Sequence, residues 1–73
     1  MKHVEKAILR FLSEHSIWIT PNHIAKNTGY SRGYIKQECR NLFYDGYIES
    51  VNQPSDPSYR ITDAGREYLE LEE

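Results

Sequence analysis

The stretch TPNHIAKNTGYSRGYIKQECRNLFYDG, residues 20–46, contains two helix starts and two helix stops. Thr20 can accept from the free N–H groups of a first turn, and Pro21 at the first helical position gives up no hydrogen bond. The helix predicted here runs over about 21–28 with Ile24 and Ala25 facing inward. Gly29 tolerates the left-handed conformation that ends it. Ser31 is a second N-cap. Ile35, Cys39 and Leu42 recur at i, i+4 and i+7 with Phe43 beside them, which predicts a helix over about 31–45, closed by Asp45-Gly46. Two helices joined by a short glycine-containing turn make a helix-turn-helix unit. Ala25 is small where the two must cross closely.

Upstream, Val4, Ala7, Ile8, Phe11 and Leu12 mark one face of an amphipathic helix over roughly 2–15. Ser16–Ile19 is too short for a helix and rich in β-formers, so it reads as an extended connector or short strand. Downstream, Tyr47–Val51 and Ser58–Ile61 are short β-prone runs separated by the turn-rich Asn52-Gln53-Pro54-Ser55-Asp56-Pro57, a hairpin. Thr62-Asp63 then caps a last helix over about 63–72, with Ala64, Tyr68 and Leu71 as its expected inward stripe. A hairpin directly after the second helix of a helix-turn-helix makes a winged helix. The predicted fold is therefore α+β and mostly α: three helices, a two-stranded wing and a C-terminal helix, in one domain over 1–73.

Length and composition bound the rest. A chain of 73 residues buries roughly 60–65% of its unfolded surface, enough for one small core. Hydrophobic residues are 38%, charged residues 27%, and Tyr is abundant, which argues against disorder. No apolar run approaches the ~20 residues of a membrane span, and no signal-peptide pattern follows Met1. The expectation is a cytoplasmic protein. Cys39 is the single cysteine, so an internal disulfide is ruled out. The net charge of −2 is less informative than its distribution. Residues 22–44 hold Lys26, Arg32, Lys36 and Arg40 against Glu38 alone, whereas 62–73 hold Arg66 against Asp63, Glu67, Glu70, Glu72 and Glu73.

With Ile35, Cys39 and Leu42 inside, the outward side of the helix over 31–45 carries Arg32, Gly33, Lys36, Gln37, Arg40 and Tyr44. Arg and Lys read guanine edges in the major groove, and Gln reads adenine. Gly33 leaves room for close approach, and Ser31 can offer its hydroxyl and the helix's free N–H groups to a phosphate. In the hairpin, Asn52, Gln53 and Arg60 are candidate sugar or phosphate contacts. That loop carries Asp56 and no basic residue, so it is expected to graze DNA at most.

The residues Ile24-Ala25, Gly29 to Ile35, Cys39 to Leu42, Asp45 to Glu49 and Tyr59 to Leu69 resemble small archaeal winged helix-turn-helix regulators, similar to repressor-like proteins of haloarchaeal phages. The resemblance covers nearly all of the chain. It implies DNA-binding transcriptional control, as a repressor of archaeal or viral origin.

Other features have plainer explanations. Cys39 reads as a small core residue rather than a redox sensor. His3, His15 and His23 lack metal-ligand spacing. Glu14 and His15 read as surface residues at a helix end, and Trp18 and Tyr30 as core or edge packing. The acidic C-terminal run reads as a solvated tail facing away from DNA. No catalytic constellation, cofactor motif or small-molecule site is evident, so an enzyme is not expected. The main alternative is a winged-helix protein-interaction module, which would call for an apolar outward face on the third helix. One recognition helix buries little surface, so a homodimer through the first and last helices is expected, with Phe11, Tyr68, Leu69 and Leu71 as contacts.

Overall fold

The computed structural model describes residues 2–15, 17–51 and 57–72. In chain order the elements are α1 (His3–Glu14), α2 (Pro21–Thr28), α3 (Arg32–Tyr44), β1 (Ile48–Ser50), β2 (Tyr59–Ile61) and α4 (Asp63–Glu72). This is the winged-helix order expected from the sequence.

The helix ends follow the predicted chemistry. Thr20 Oγ1 accepts from the backbone N–H of His23 at 3.2 Å, and Pro21 opens α2. Gly29 takes φ +81° and its N–H donates to the Ala25 carbonyl at 3.1 Å. Ser31 Oγ accepts from the N–H of Tyr34 at 3.3 Å. At the end of α3, Gly46 takes φ +87° while Gly46 N–H donates to Phe43 and Tyr47 N–H to Leu42. These two crossed bonds satisfy carbonyls that the helix leaves open and turn the chain into β1.

The wing strands are antiparallel, with Ile48 opposite Ile61, Glu49 opposite Arg60 and Ser50 opposite Tyr59. The connector before α2 takes part: Ile19 forms an antiparallel bridge with Tyr59, each N–H donating to the other's carbonyl at 2.9 and 2.8 Å. That places β2 between β1 and Ile19. Alternation along β2 buries Tyr59 and Ile61 and exposes Arg60.

Beneath the sheet, Ile8, Leu9, Leu12, Ile24, Ile35, Cys39 and Leu42 are wholly buried, joined by Val4, Ile19, Ala25, Ile48, Tyr59, Ile61 and Leu69. Leu9 joins the α1 face, while Ala7 and Phe11 are only half-buried. Trp18 is edge packing at 39% exposure. Two expectations are corrected. The buried stripe of α4 is Gly65 and Leu69; Ala64 and Leu71 face solvent and Tyr68 is half-buried. Tyr68 instead stacks on Tyr47, with ring centroids 4.2 Å apart and planes 9° apart. Leu69, a candidate dimer contact, is buried in this chain's own core and has no surface to offer a partner.

Candidate nucleic-acid interface

The position of α3 is set from three sides. Its cap at Ser31 and the turn at Gly29 fix the angle to α2, and Ile35, Cys39 and Leu42 anchor it in the core. The third hold comes from a residue that the sequence reading counted only as a charge and assigned to neither face of the helix. Glu38 is buried, at 2% exposure, and Lys2 Nζ lies 3.4 Å from its Oε1 and 3.5 Å from its Oε2. A buried carboxylate requires a partner. Lys2, just ahead of α1, supplies one and ties the start of the chain to α3.

Sequestering Glu38 also changes the charge that α3 shows to solvent. The helix has four charged residues, Arg32, Lys36, Glu38 and Arg40, and the three that are exposed are all cations. At about 100° of rotation per residue, Gly33, Lys36, Gln37, Arg40 and Tyr44 share the stripe opposite Ile35, Glu38, Cys39 and Leu42. Gly33, Lys36, Gln37, Arg40 and Asn41 line one shallow groove, and Tyr44 stands beyond it at 74% exposure. Arg32 is exposed on the flank of this stripe, one helical step from its centre line. Asn41 was missed in the sequence reading. The signal was present, since it follows Gln37 by four residues and Gly33 by eight.

Gly33 has an ordinary helical backbone, and a Cβ there would meet nothing within 4 Å. Neither backbone conformation nor packing requires glycine at this place. Ser31 Oγ already accepts from Tyr34, which leaves its hydroxyl hydrogen to donate outward. On the inner side, burial pushes the Cys39 thiol up to about 12, with nearby Glu38 adding to the effect, so the thiol stays protonated and inert. Burial likewise raises the Tyr59 phenol, with Cys39 adding to it.

The wing candidates divide. Asn52 and Gln53 lie outside the described residues. Arg60 sits on the outer face of β2, where its Nη2 pairs with Glu49 Oε1 at 2.7 Å and its guanidinium lies 4.6 Å from the centroid of the Trp18 ring. Trp18, Arg60 and Glu49 thus form one row across the sheet, separate from the α3 groove. Among the described residues no group of three His, Cys, Asp or Glu could hold a metal ion, and no helix is long and apolar enough to cross a membrane.

Comparison with known proteins agrees with this architecture. A family model described as winged helix-turn-helix phage repressor matches residues 1–73. The repressor protein of Halobacterium phage phiH is 33% identical over 70 residues, covering 94% of this chain and 79% of that protein. Among solved structures, the transcriptional regulator BldR from Sulfolobus solfataricus superposes with a TM-score of 0.83 at 18% identity, over 97% of this chain and 52% of that one. The PcaV transcriptional regulator from Streptomyces coelicolor gives 0.85 at 19% identity, over 96% and 51%. MepR of S. aureus, solved in complex with DNA, gives 0.82 at 20% identity, over 97% and 60%. At these identities the structures establish the shared fold, and the chain spans about half the length of the solved proteins it matches.

Proposed function

Because the chain belongs to the winged helix-turn-helix phage repressor family, whose members are DNA-binding transcriptional regulators, we propose that it represses transcription by seating α3 in the major groove of double-stranded DNA. The observation that carries this reading is the α3 surface. Lys36, Gln37, Arg40 and Asn41 surround a glycine that the fold does not require, and the helix's one carboxylate is withdrawn into the core. In the proposed complex Gln37 and Arg32 read bases, Arg40 holds a phosphate, Lys36 does either, and Ser31 and Tyr44 contact the backbone at the two ends. Asn41 joins Gln37 as an amide suited to adenine. Arg60, already paired with Glu49, contributes at most a backbone contact, alongside Asn52 and Gln53 of the hairpin.

The protein acts in the cytoplasm, that of the host if the chain is viral, and binds its operator as more than one copy. A single module of this size reaches typical operator affinity poorly by itself. Of the expected homodimer contacts, Phe11 and Tyr68 are half-buried and Leu71 is exposed, so the first and last helices still offer surface. A protein-interaction module on this fold would carry an apolar stripe where Lys36, Gln37 and Arg40 stand.

A titration of duplex DNA with the full chain at two salt concentrations tests the reading. Binding is expected to weaken steeply with salt and to concentrate on a subset of sequences. Unchanged affinity after Arg32, Lys36 and Arg40 are all replaced by alanine would remove α3 from the interface.

A further inference from the structure

The residues of the α3 groove fall into two rows, each running along the helix at a spacing of four residues. Lys36 and Arg40 form one; Gly33, Gln37 and Asn41 form the other. The rows border different parts of the fold. Phe43 follows Lys36 by seven residues and so lies on its side of the helix, where the Phe43 ring sits 6.4 Å from that of Tyr59 in β2. The cationic row therefore flanks the wing. Asn41 follows Glu38 by three residues, which puts the amide row toward the opposite flank, where Lys2 meets Glu38.

The two amides are also unoccupied. On α2, Asn27 Nδ2 donates to the His23 carbonyl at 2.9 Å, one turn back along its own helix. Gln37 and Asn41 are exposed and, among the described residues, neither side chain has a hydrogen-bond partner. A free amide presents a donor and an acceptor side by side, the complement of N7 and the N6 amino group of adenine. Four residues of helix advance about 6 Å, and helices in the major groove meet successive bases with residues three to four apart. Gly33, one turn before Gln37, lacks the side chain that would hold that end of the row off the groove floor. No carboxylate faces the groove to accept from cytosine, because Glu38 is buried.

We propose that Gln37 and Asn41 read the adenines of two neighbouring A·T base pairs from the major groove, so that the operator half-site is built around an A·T step. The proposal rests on the α3 reading and deepens it. Lys36 and Arg40, on the wing side, supply attraction that is similar for every duplex. The amide row supplies the discrimination, since an amide facing a G·C pair meets two acceptors of guanine and leaves its own acceptor unpaired.

The test selects binding duplexes from a randomised pool with the full chain. The best of them is then titrated with each adenine replaced in turn by 7-deazaadenine, which lacks the N7 acceptor. The selected duplexes are expected to share two neighbouring A·T pairs, and either replacement is expected to weaken wild-type binding about 2- to 10-fold. Gln37→Ala is expected to be indifferent to the replacement at one position and Asn41→Ala to that at the other, with circular dichroism unchanged in both. A variant that binds poorly only through altered structure would stay sensitive at both positions, and that result would overturn the proposal. So would selected duplexes without neighbouring A·T pairs. An A·T preference that survives both replacements would assign it to the shape of the duplex and overturn the proposal as well. Any of these results, obtained while Lys36→Ala and Arg40→Ala still weaken binding, leaves the α3 reading standing. Wild type that binds no duplex, or binds equally well without Lys36 and Arg40, would reject the α3 reading and this proposal with it.

Discussion

Gly65 packs directly under the carbonyl oxygen of Tyr47, so that a methyl group in its place would collide with that oxygen and lie 2.8 Å from Cγ1 of Ile61. The contact joins the start of α4 to the turn that leaves α3. Thr62 completes the joint: its Oγ1 donates to the Gly46 carbonyl at 2.8 Å and accepts from the Gly65 N–H at 3.1 Å, and its own N–H donates to Tyr47 at 3.1 Å. Backbone atoms cannot yield as a flexible side chain can, so Gly65→Ala is expected to destabilise the fold by at least about 1–3 kcal/mol. Urea unfolding followed by circular dichroism measures it.

Gly33→Ala is expected to behave in the opposite way. The added methyl meets nothing, and replacing glycine with alanine in a helix favours the helix by about 0.5–1 kcal/mol. If a DNA surface approaches this spot, the same methyl obstructs it. The expected result is a more stable protein with weaker DNA binding. Stabilisation with unchanged affinity would show that nothing approaches Gly33 closely.

Within the α3 groove, single alanine variants are expected to sort by salt response. Loss of a base-reading contact at Gln37 or Asn41 is expected to cost about 1–3 kcal/mol and relax preference at one base pair. Loss of a phosphate contact at Arg40 is expected to weaken all sequences alike and flatten the salt slope by about one unit. Titrations at two salt concentrations, on selected and random duplexes, distinguish these outcomes.

The Glu38–Lys2 pair predicts an asymmetry. Lys2→Ala leaves a buried carboxylate without its cation, whereas Glu38→Gln removes the charge along with the need to pair it. Lys2 itself is 61% exposed, so solvent screens its side of the interaction and the loss is about 1 kcal/mol rather than several. Lys2→Ala is expected to be substantially reversed when Glu38→Gln is added, as a double-mutant cycle by urea unfolding would show.

Cys39 provides a pH prediction. Its thiol is raised from 9.0 to about 12 in the folded chain. The folded state holds this proton over a range where the unfolded chain has released it. The contribution to stability is therefore complete below about pH 9 and is lost as pH climbs toward about 12. A thiol reagent at pH 8 is expected to label Cys39 only as fast as the protein opens. Prompt labelling of folded protein would contradict its burial.

The caps and glycines of residues 20–46 were legible because each reflects a local backbone requirement: Thr20 and Ser31 meet open N–H groups, and Gly29 and Gly46 take positive φ. The α4 stripe was not legible because that helix has two candidates. Ala64, Tyr68 and Leu71 repeat as regularly as any core face, while the true face begins with Gly65, which carries no hydrophobic signal and is selected by space alone. Glu38 was hidden for a related reason: a charged residue in a buried stripe reads as a surface residue until its partner, far away in sequence, is located. The α3 groove followed from rotation about one helix axis, so most of it could be listed in advance. Asn41 lies on that same face, four residues after Gln37, and is as legible from the helical spacing as its neighbours.

The bridge between Ile19 and Tyr59 also bears on how the molecule assembles. Both bonds that join the connector to the wing link segments far apart in sequence, and β2 has pairing partners on both sides only after that closure. Contacts of this kind are slow to form, because a long loop must close before they return any stabilisation. The helix-turn-helix is local and can fold early, while the wing waits for the first part of the chain to return to it. Amide exchange at Ile19 and Tyr59 is then expected to proceed through a partial opening, at a lower free energy than exchange in the buried turns of α3, and a chain caught before that closure would present a formed α3 beside an unpaired strand edge, the state in which misassociation with other chains starts.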